Sequence, residues 1–582
     1  MAKATYTTGQ IITQLTTSWG GSLAGYTFGW SSTLPTISYS INTSTPSNVA
    51  GYTPSEGGQY LVPMSPLQVA TASLAFQLWD DLIAKAPGTT HRLVQTASPS
   101  ANITLDYSSN TIGNGTYSQA FGSVYSATKS VTLTAEQVWL SSRWASNGDS
   151  GMKPGAYGLI TMVHEIGHTL GLSHPGAYNA GSGGTITYAN SAVFAQDNRQ
   201  YTVMSYFGGY LPGVGWQQDG TYSTYIFPQT PMVYDIAAIQ AKFGADTITR
   251  TDNTVYGFHC SLAVTDPERA IYDFSLNATP IFTIWDAAGI DMLDCSGYSG
   301  NQTISLIPGS YSSVDGMIQN VAIAFNCSIE GATGGAGSDT ITGSDGNNIL
   351  VGGAGADLLK GGNGSDLYMI YAAAEHPVAE KITDTGTTGI DEVRFASIMA
   401  NDTLILRSTD TGIERVLIGT GTDTVAVTRG TIALNVNAAA VLNGLTITGN
   451  AGANILTGTA YGDILTGGDG ADTFVFNFRS TSAANKDTIT DFQHAVDILQ
   501  LSKSAFTKIT TPVGSFLNAA EFWSGAGVHA GHDSNDRIVY DSATGNLYYD
   551  ADGSGAGAAL LVALIGTTTH APLSAADIQI IA

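Results

Sequence analysis

Apolar and polar residues follow two different rhythms along this chain, and the change of rhythm divides it. In the first half, Ile236, Ile239 and Phe243 recur at helical spacing, so the segment Asp235-Ile236-Ala237-Ala238-Ile239-Gln240 predicts a helix with one buried face. Ala101 to Tyr107, Ser130 to Thr134 and Thr36 to Ile41 have the composition of strands. Past residue 334 the rhythm shortens to one or two aliphatic residues between polar turns. Val416-Leu417-Ile418-Gly419 and Leu434 to Gly449 alternate Thr and Asn with aliphatics, which predicts β coils without good ion ligands. Asp487 to Phe492, Asp497 to Leu501, Asp536 to Tyr540 and Leu547 to Gly553 predict a closing sheet, with Ser542 to Asn546 as a hairpin turn.

The short rhythm is a nine-residue repeat: Gly-Gly-Ala-Gly-Ser-Asp-Thr-Ile-Thr from Gly334, with further copies from Gly343, Gly352 and Gly361, and a second block from Gly449, Gly458 and Gly467. It resembles the calcium-binding nonapeptide of the repeats-in-toxin (RTX) class. Glycines permit the sharp turn, the sixth residue brings a side-chain oxygen, and the following aliphatic faces a core. Two copies make one coil of a parallel β-roll, so turns two copies apart share ions. That pairs Asp339 with Asp357, Asn348 with Asp366 and Asn454 with Asp472, and leaves Asp463 to find a partner outside the clear repeats. Hard oxygen ligands select Ca2+, and several such ions are expected.

The densest chemistry lies in His164-Glu165-Ile166-Gly167-His168-Thr169-Leu170-Gly171-Leu172-Ser173-His174. On a helix, His164 and His168 are four residues apart on one face and reach a single ion. Gly171 falls where the helix should stop, and the turn returns His174 to the same ion. Three nitrogens leave a fourth position open, as in a catalytic Zn2+ site, and Glu165 stands where it can take a proton from water.

Together with Tyr201-Thr202-Val203-Met204-Ser205-Tyr206-Phe207, this motif resembles the serralysins, a secreted branch of the metzincin zinc endopeptidases. The resemblance implies an α+β metzincin-like catalytic domain, then an all-β parallel roll and a β-sandwich-like C-terminal domain. It implies Met204 as an apolar floor under the zinc, and Tyr206 as both a zinc ligand and a donor to the oxyanion. It also implies a calcium site at the domain junction, where Asp286 and Asp291 are the candidates although Ala287-Ala288 replaces the family's glycines. The ordering that follows is an N-terminal segment over 1–60 with a short propeptide and an outer strand, protease over 61–248, and junction and first repeat block over 249–375. An intervening β segment occupies 376–448, and the second block with a C-terminal secretion signal occupies 449–582.

Composition narrows the partners. Asp plus Glu is 46 against 21 Lys plus Arg, a net charge of −25, which disfavours nucleic acid and suits divalent cations. No N-terminal signal peptide or apolar run of spanning length is present, so the resemblance points to type I export of a monomer that cleaves extracellular proteins. Cys260, Cys295 and Cys327 read as small buried residues. A different class fits part of the chain: a structural or adhesive surface protein whose roll is the function, with an accessory or self-processing protease domain.

Overall fold

Seven strands form the sheet of the first half. Thr27–Trp30, Ser130–Ser141, Ile103–Ser108, Ile37–Ile41 and Leu93–Gln95 run parallel in that order, while Leu61–Val62 and Tyr117–Tyr125 join antiparallel. The computed structural model describes residues 3–43, 61–98, 100–109, 117–179, 185–208, 226–422, 425–478 and 486–582. Part of the expected N-terminal segment, residues 44–60, lies outside them. The chain forms two compact units, Met1–Cys295 with Gln302–Ile329, and Ser296–Asn301 with Glu330–Ala582.

In the first unit the helix Pro66–Asp80 begins with a reciprocal cap, Ser65 accepting from the Gln68 amide and Gln68 accepting from the Ser65 amide. It packs on the helix Tyr157–Thr169, and the buried Trp79 indole donates to the Val163 carbonyl at 2.9 Å. Packing there is tight enough to require Gly167, where a Cβ would lie 2.8 Å from the Met204 sulfur. The expected helix is present as Val233–Phe243. The N-terminal helix Thr8–Thr17 packs against it and offers its last carbonyls to Ser173, Leu15 O to the amide at 2.6 Å and Gln14 O to the hydroxyl at 2.9 Å.

The second unit is the roll. One sheet stacks Gly331–Thr333, Ile349–Val351, Leu367–Ile370, Glu392–Phe395, Arg415–Ile418, Thr446–Thr448, Ile464–Thr466, Asp487–Ile489 and Leu560–Ile565 in parallel. Opposite it, Thr340–Thr342, Leu358–Lys360 and Lys381–Ile382 stack in parallel, as do Thr403–Ile405, Asn435–Asn437, Ile455–Thr457, Thr473–Phe476, Ile498–Ser502 and Ile578–Ile581. Strands two repeats apart pair, as the nine-residue phase requires. The middle residues of most of the short strands, such as Ile341, Leu350, Leu359 and Leu456, are fully buried, so these coils stack their aliphatic residues on one another. Residues 376–448 add coils of the same kind, and the hairpin Ile538–Asp541 with Asn546–Tyr549 closes the first sheet.

Candidate functional site

The helix Tyr157–Thr169 puts His164 and His168 on one face, and the turn after it brings His174 alongside. Gly171 sits at φ +86°, the left-handed conformation that reverses the chain, and a Cβ there would meet the Phe28 carbonyl at 2.3 Å. The three Nε2 atoms are 3.1, 3.1 and 3.2 Å apart. Each Nδ1 faces a backbone carbonyl: His164 that of Val203 at 2.8 Å, His168 that of Leu172 at 2.7 Å and His174 that of Tyr178 at 2.7 Å. Donation from Nδ1 fixes the tautomer and turns every Nε2 lone pair inward. Burial holds His164 well below the ordinary imidazole range, assisted by its two partner rings. It pushes His168 down to about 4, and burial with His168 lowers His174 too. Three neutral rings aiming lone pairs at one point repel unless a cation lies there, and their spacing suits a tetrahedral ion about 2.0–2.1 Å from each. The residues therefore fit Zn2+.

Glu165 is buried on the same helix, and Met204 is fully buried against Gly167 below the imidazoles. The Tyr206 ring stands 4.5 Å from His174 and 5.9 Å from His164 between ring centres. Every residue named from the zinc motif and the turn after it is thus gathered in one place. Asp235, on the helix Val233–Phe243, does more than pack. Its carboxylate takes Thr202 Oγ1 at 2.5 Å, the Val203 amide at 2.7 Å and the Met232 amide at 2.8 Å, which pins the turn whose Val203 carbonyl orients His164. No spacing rule marks this acid's role in the turn, because Thr202 and Val203 lie some thirty residues away in sequence. The strand Tyr117–Tyr125 pairs only with Ser130–Ser141 among the described residues and lies beside the zinc-motif helix, so it is a free edge of the sheet.

In the roll, the backbone amide before many of the strands donates to the acid of the next coil. Asp339 N reaches Asp357 Oδ1 at 2.7 Å, Asn348 N reaches Asp366 at 2.8 Å, Asn454 N reaches Asp472 at 2.8 Å, and Asp463 N reaches Asp487 at 3.0 Å. Asp487 is the partner that Asp463 lacked within the repeats. The other oxygens of Asp357, Asp366 and Asp472 are buried without a hydrogen-bond partner. Burial, then neighbouring acids, raises Asp357 and Asp366 to about 7 and Asp472 to about 6. Buried acid oxygens without donors fit a cation.

The intervening segment also carries acids that the sequence reading did not name. Asp384 and Asp391 gather with Asp366 in one buried cluster, with ligand atoms within 4.8 Å of one another. Asp384 also takes the Tyr368 hydroxyl at 2.8 Å. The ladder runs on from Asp366 N to Asp391 at 2.9 Å and from Asp391 N to Glu414 at 2.9 Å; Leu434 and Leu445 then stand where acids would, although the Leu445 amide still donates to Asp463 at 2.7 Å. Asp391 escaped the sequence reading because its spacing leaves the nine-residue phase, and Asp384 because it keeps the phase, eighteen residues after Asp366, without the glycines that mark a repeat. At the junction, Asp286 takes the Tyr256 hydroxyl at 2.7 Å and the Ala288 amide at 3.3 Å, while Asp291 takes the Thr254 amide at 2.7 Å. Cys260, Cys295 and Cys327 are buried.

A helix bearing three convergent imidazoles and an acid, in a chain that continues as a parallel roll, defines a zinc peptidase architecture with an RTX extension. The chain belongs to the serralysin family: the family described as Peptidase M10 serralysin C terminal matches residues 245–578, more than half of it. It is 40% identical to Serralysin B of Dickeya chrysanthemi over 285 residues, covering 48% of this chain and 54% of the relative. It is 43% identical to Serralysin C of the same organism over 208 residues, 34% of this chain and 40% of the relative. With the serralysin of Photorhabdus laumondii it shares 38% identity over 275 residues, 47% of this chain and 52% of the relative. The chain thus spans about half the length of the curated relatives it matches.

Proposed function

We propose that this protein is a zinc-dependent endopeptidase, exported from the cell and acting on extracellular proteins, with a roll held folded by calcium. The convergence of His164, His168 and His174 at 3.1–3.2 Å, with Nδ1 of each anchored to a carbonyl, carries the reading. A Zn2+ ion held by these three nitrogens, with the Tyr206 phenol as a fourth ligand, supplies Lewis acidity toward a scissile carbonyl and toward water. Glu165 takes the proton of the attacking water and returns it to the leaving amine nitrogen. The Tyr206 phenol donates a hydrogen bond to the oxyanion as charge develops there. Met204 contributes a dry floor. An extended peptide adds to the free edge Tyr117–Tyr125 by backbone hydrogen bonds, which aligns its carbonyl without selecting its sequence.

Calcium is assigned to the ladder acids Asp339, Asn348, Asp357, Asp366, Asn454, Asp463 and Asp472, to Asp384 and Asp391 beside Asp366, and to Asp286 and Asp291 at the junction. The orphaned oxygens of Asp357, Asp366 and Asp472 support this. An acidic roll without ions repels itself, so it stays unfolded where calcium is scarce and folds after export. Among the described residues no helix is long and apolar enough to cross a membrane. Casein hydrolysis by the purified chain tests the proposal: activity should vanish with a zinc chelator and in Glu165→Ala, and full activity in either condition would end it.

A further inference from the structure

Behind the three imidazoles lies a buried carboxylate that the chemistry above leaves unused. Asp197 has no exposed surface, and its Oδ1 accepts two hydroxyls, Tyr178 at 2.7 Å and Ser205 at 2.8 Å. Each hydroxyl in turn grips the backbone around Tyr206. The Tyr206 amide donates to the Tyr178 hydroxyl, and the Phe207 amide donates to Ser205 Oγ at 3.1 Å. The opposite end of Tyr178 is tied to the third imidazole. Its carbonyl takes His174 Nδ1 at 2.7 Å, and its ring lies parallel to His174 with centres 5.4 Å apart. The Tyr178 and Tyr206 rings are 5.2 Å apart.

We propose that Asp197, acting through Tyr178 and Ser205, is the positioning residue for Tyr206. It fixes the two peptide units from which the phenol is aimed, and holds them in register with His174. The inference rests on the reading of Tyr206 as the oxyanion donor. Such a donor helps only within about 3 Å of the developing charge, and a shift of about 1 Å can cost roughly 10²-fold in rate. A buried carboxylate is expensive unless hydrogen-bonded; both hydroxyls donate to Oδ1, and Oδ2 has no hydrogen-bond partner, so the pair of hydroxyls is what holds this acid in place.

The chemistry separates the variants. Tyr178→Phe keeps the ring and the carbonyl that holds His174 but cuts the link from Asp197 to the Tyr206 amide. Asp197→Asn keeps an oxygen for both hydroxyls, and Asp197→Ala keeps none. The experiment measures kcat and KM on a fluorogenic peptide, with zinc content by mass spectrometry, for the full-length zinc- and calcium-loaded protein. Tyr206→Phe should lower kcat about 10²-fold. Tyr178→Phe should lower it about tenfold, with KM within about twofold and zinc content unchanged. Asp197→Asn should recover most of the activity that Asp197→Ala loses. In the Tyr206→Phe background Tyr178→Phe should have no further effect, because both act through one group.

Independent, multiplying losses in the double variant would overturn the proposal, as would a Tyr178→Phe loss seen in KM or zinc content, or wild-type kcat in Tyr178→Phe. If Asp197→Ala fails to fold, the Tyr178→Phe and Tyr206→Phe pair decides alone. Unchanged kcat in Tyr206→Phe would remove the oxyanion reading and this inference with it. A loss in Tyr206→Phe beside full activity in Tyr178→Phe removes only the inference.

Discussion

His168 Nδ1 and the carbonyl of Leu172 lie 2.7 Å apart, so the second imidazole is oriented by the turn that ends its own helix. The Leu172 amide closes back on the Gly167 carbonyl at 3.0 Å, and Gly171 supplies the positive φ between them. Gly171→Ala should therefore cost about 1–3 kcal/mol of stability and loosen zinc, because the Leu172 carbonyl and His174 both follow this turn. Thermal melting and competition with a zinc chelator check it. Unaltered zinc retention would separate the turn from the metal site.

Glu165→Gln keeps the shape of the side chain and removes its basicity. The expected loss in kcat is about 10²- to 10⁴-fold, with zinc content unchanged. Loss of zinc in parallel would mean that the acid holds the site together and does not move the proton.

Asp384→Asn should bind fewer calcium ions than the parent chain in equilibrium dialysis, and its melting temperature at fixed calcium should fall, since an ion that binds only the folded state stabilises it by mass action. An unchanged calcium count would show that the Asp366, Asp384 and Asp391 cluster holds no ion.

His376 is buried between two acids, with Nε2 3.0 Å from Asp410 Oδ2 and Nδ1 3.2 Å from Glu380 Oε1. Arg407 lies against its carbonyl, through an Nη1 donor at 3.3 Å. Burial alone would lower this imidazole, but the hydrogen bonds and charges of Asp410 and Glu380 outweigh it and raise the ring to about 9 from an ordinary 6.5. A group raised on folding stabilises fully below its unfolded value and ceases to do so as pH climbs through its folded one. The melting temperature in calcium should therefore decline between about pH 6.5 and 9.5. In His376→Gln that dependence should flatten, and an equal slope in both proteins would exclude this cluster as its source.

How much of this was legible depended on whether chemistry followed a local period. His164, His168, Gly171 and His174 obey helix and turn geometry within one stretch, and the repeat acids obey a nine-residue phase, so both were readable from residue order alone. Asp235, Asp197 and Tyr178 were not, since each acts on a partner that only the fold brings near. Asp391 breaks the phase that would have announced it, and Asp384 keeps the phase but lacks the glycines of a repeat. The free edge Tyr117–Tyr125 was hidden for another reason: being last in a sheet is a property of the neighbours and leaves no mark on a strand's own composition.

The lapse of the acid ladder at Leu434 and Leu445 has a consequence for assembly. The coils there close on Val416, Val436 and Ile447, between two stretches whose buried acids are the proposed calcium ligands. A titration with calcium should thus show two transitions instead of one, each zipping outward from a hydrocarbon splint already in place. An emerging chain would then carry its own template across the boundary between a calcium-poor compartment and a calcium-rich one.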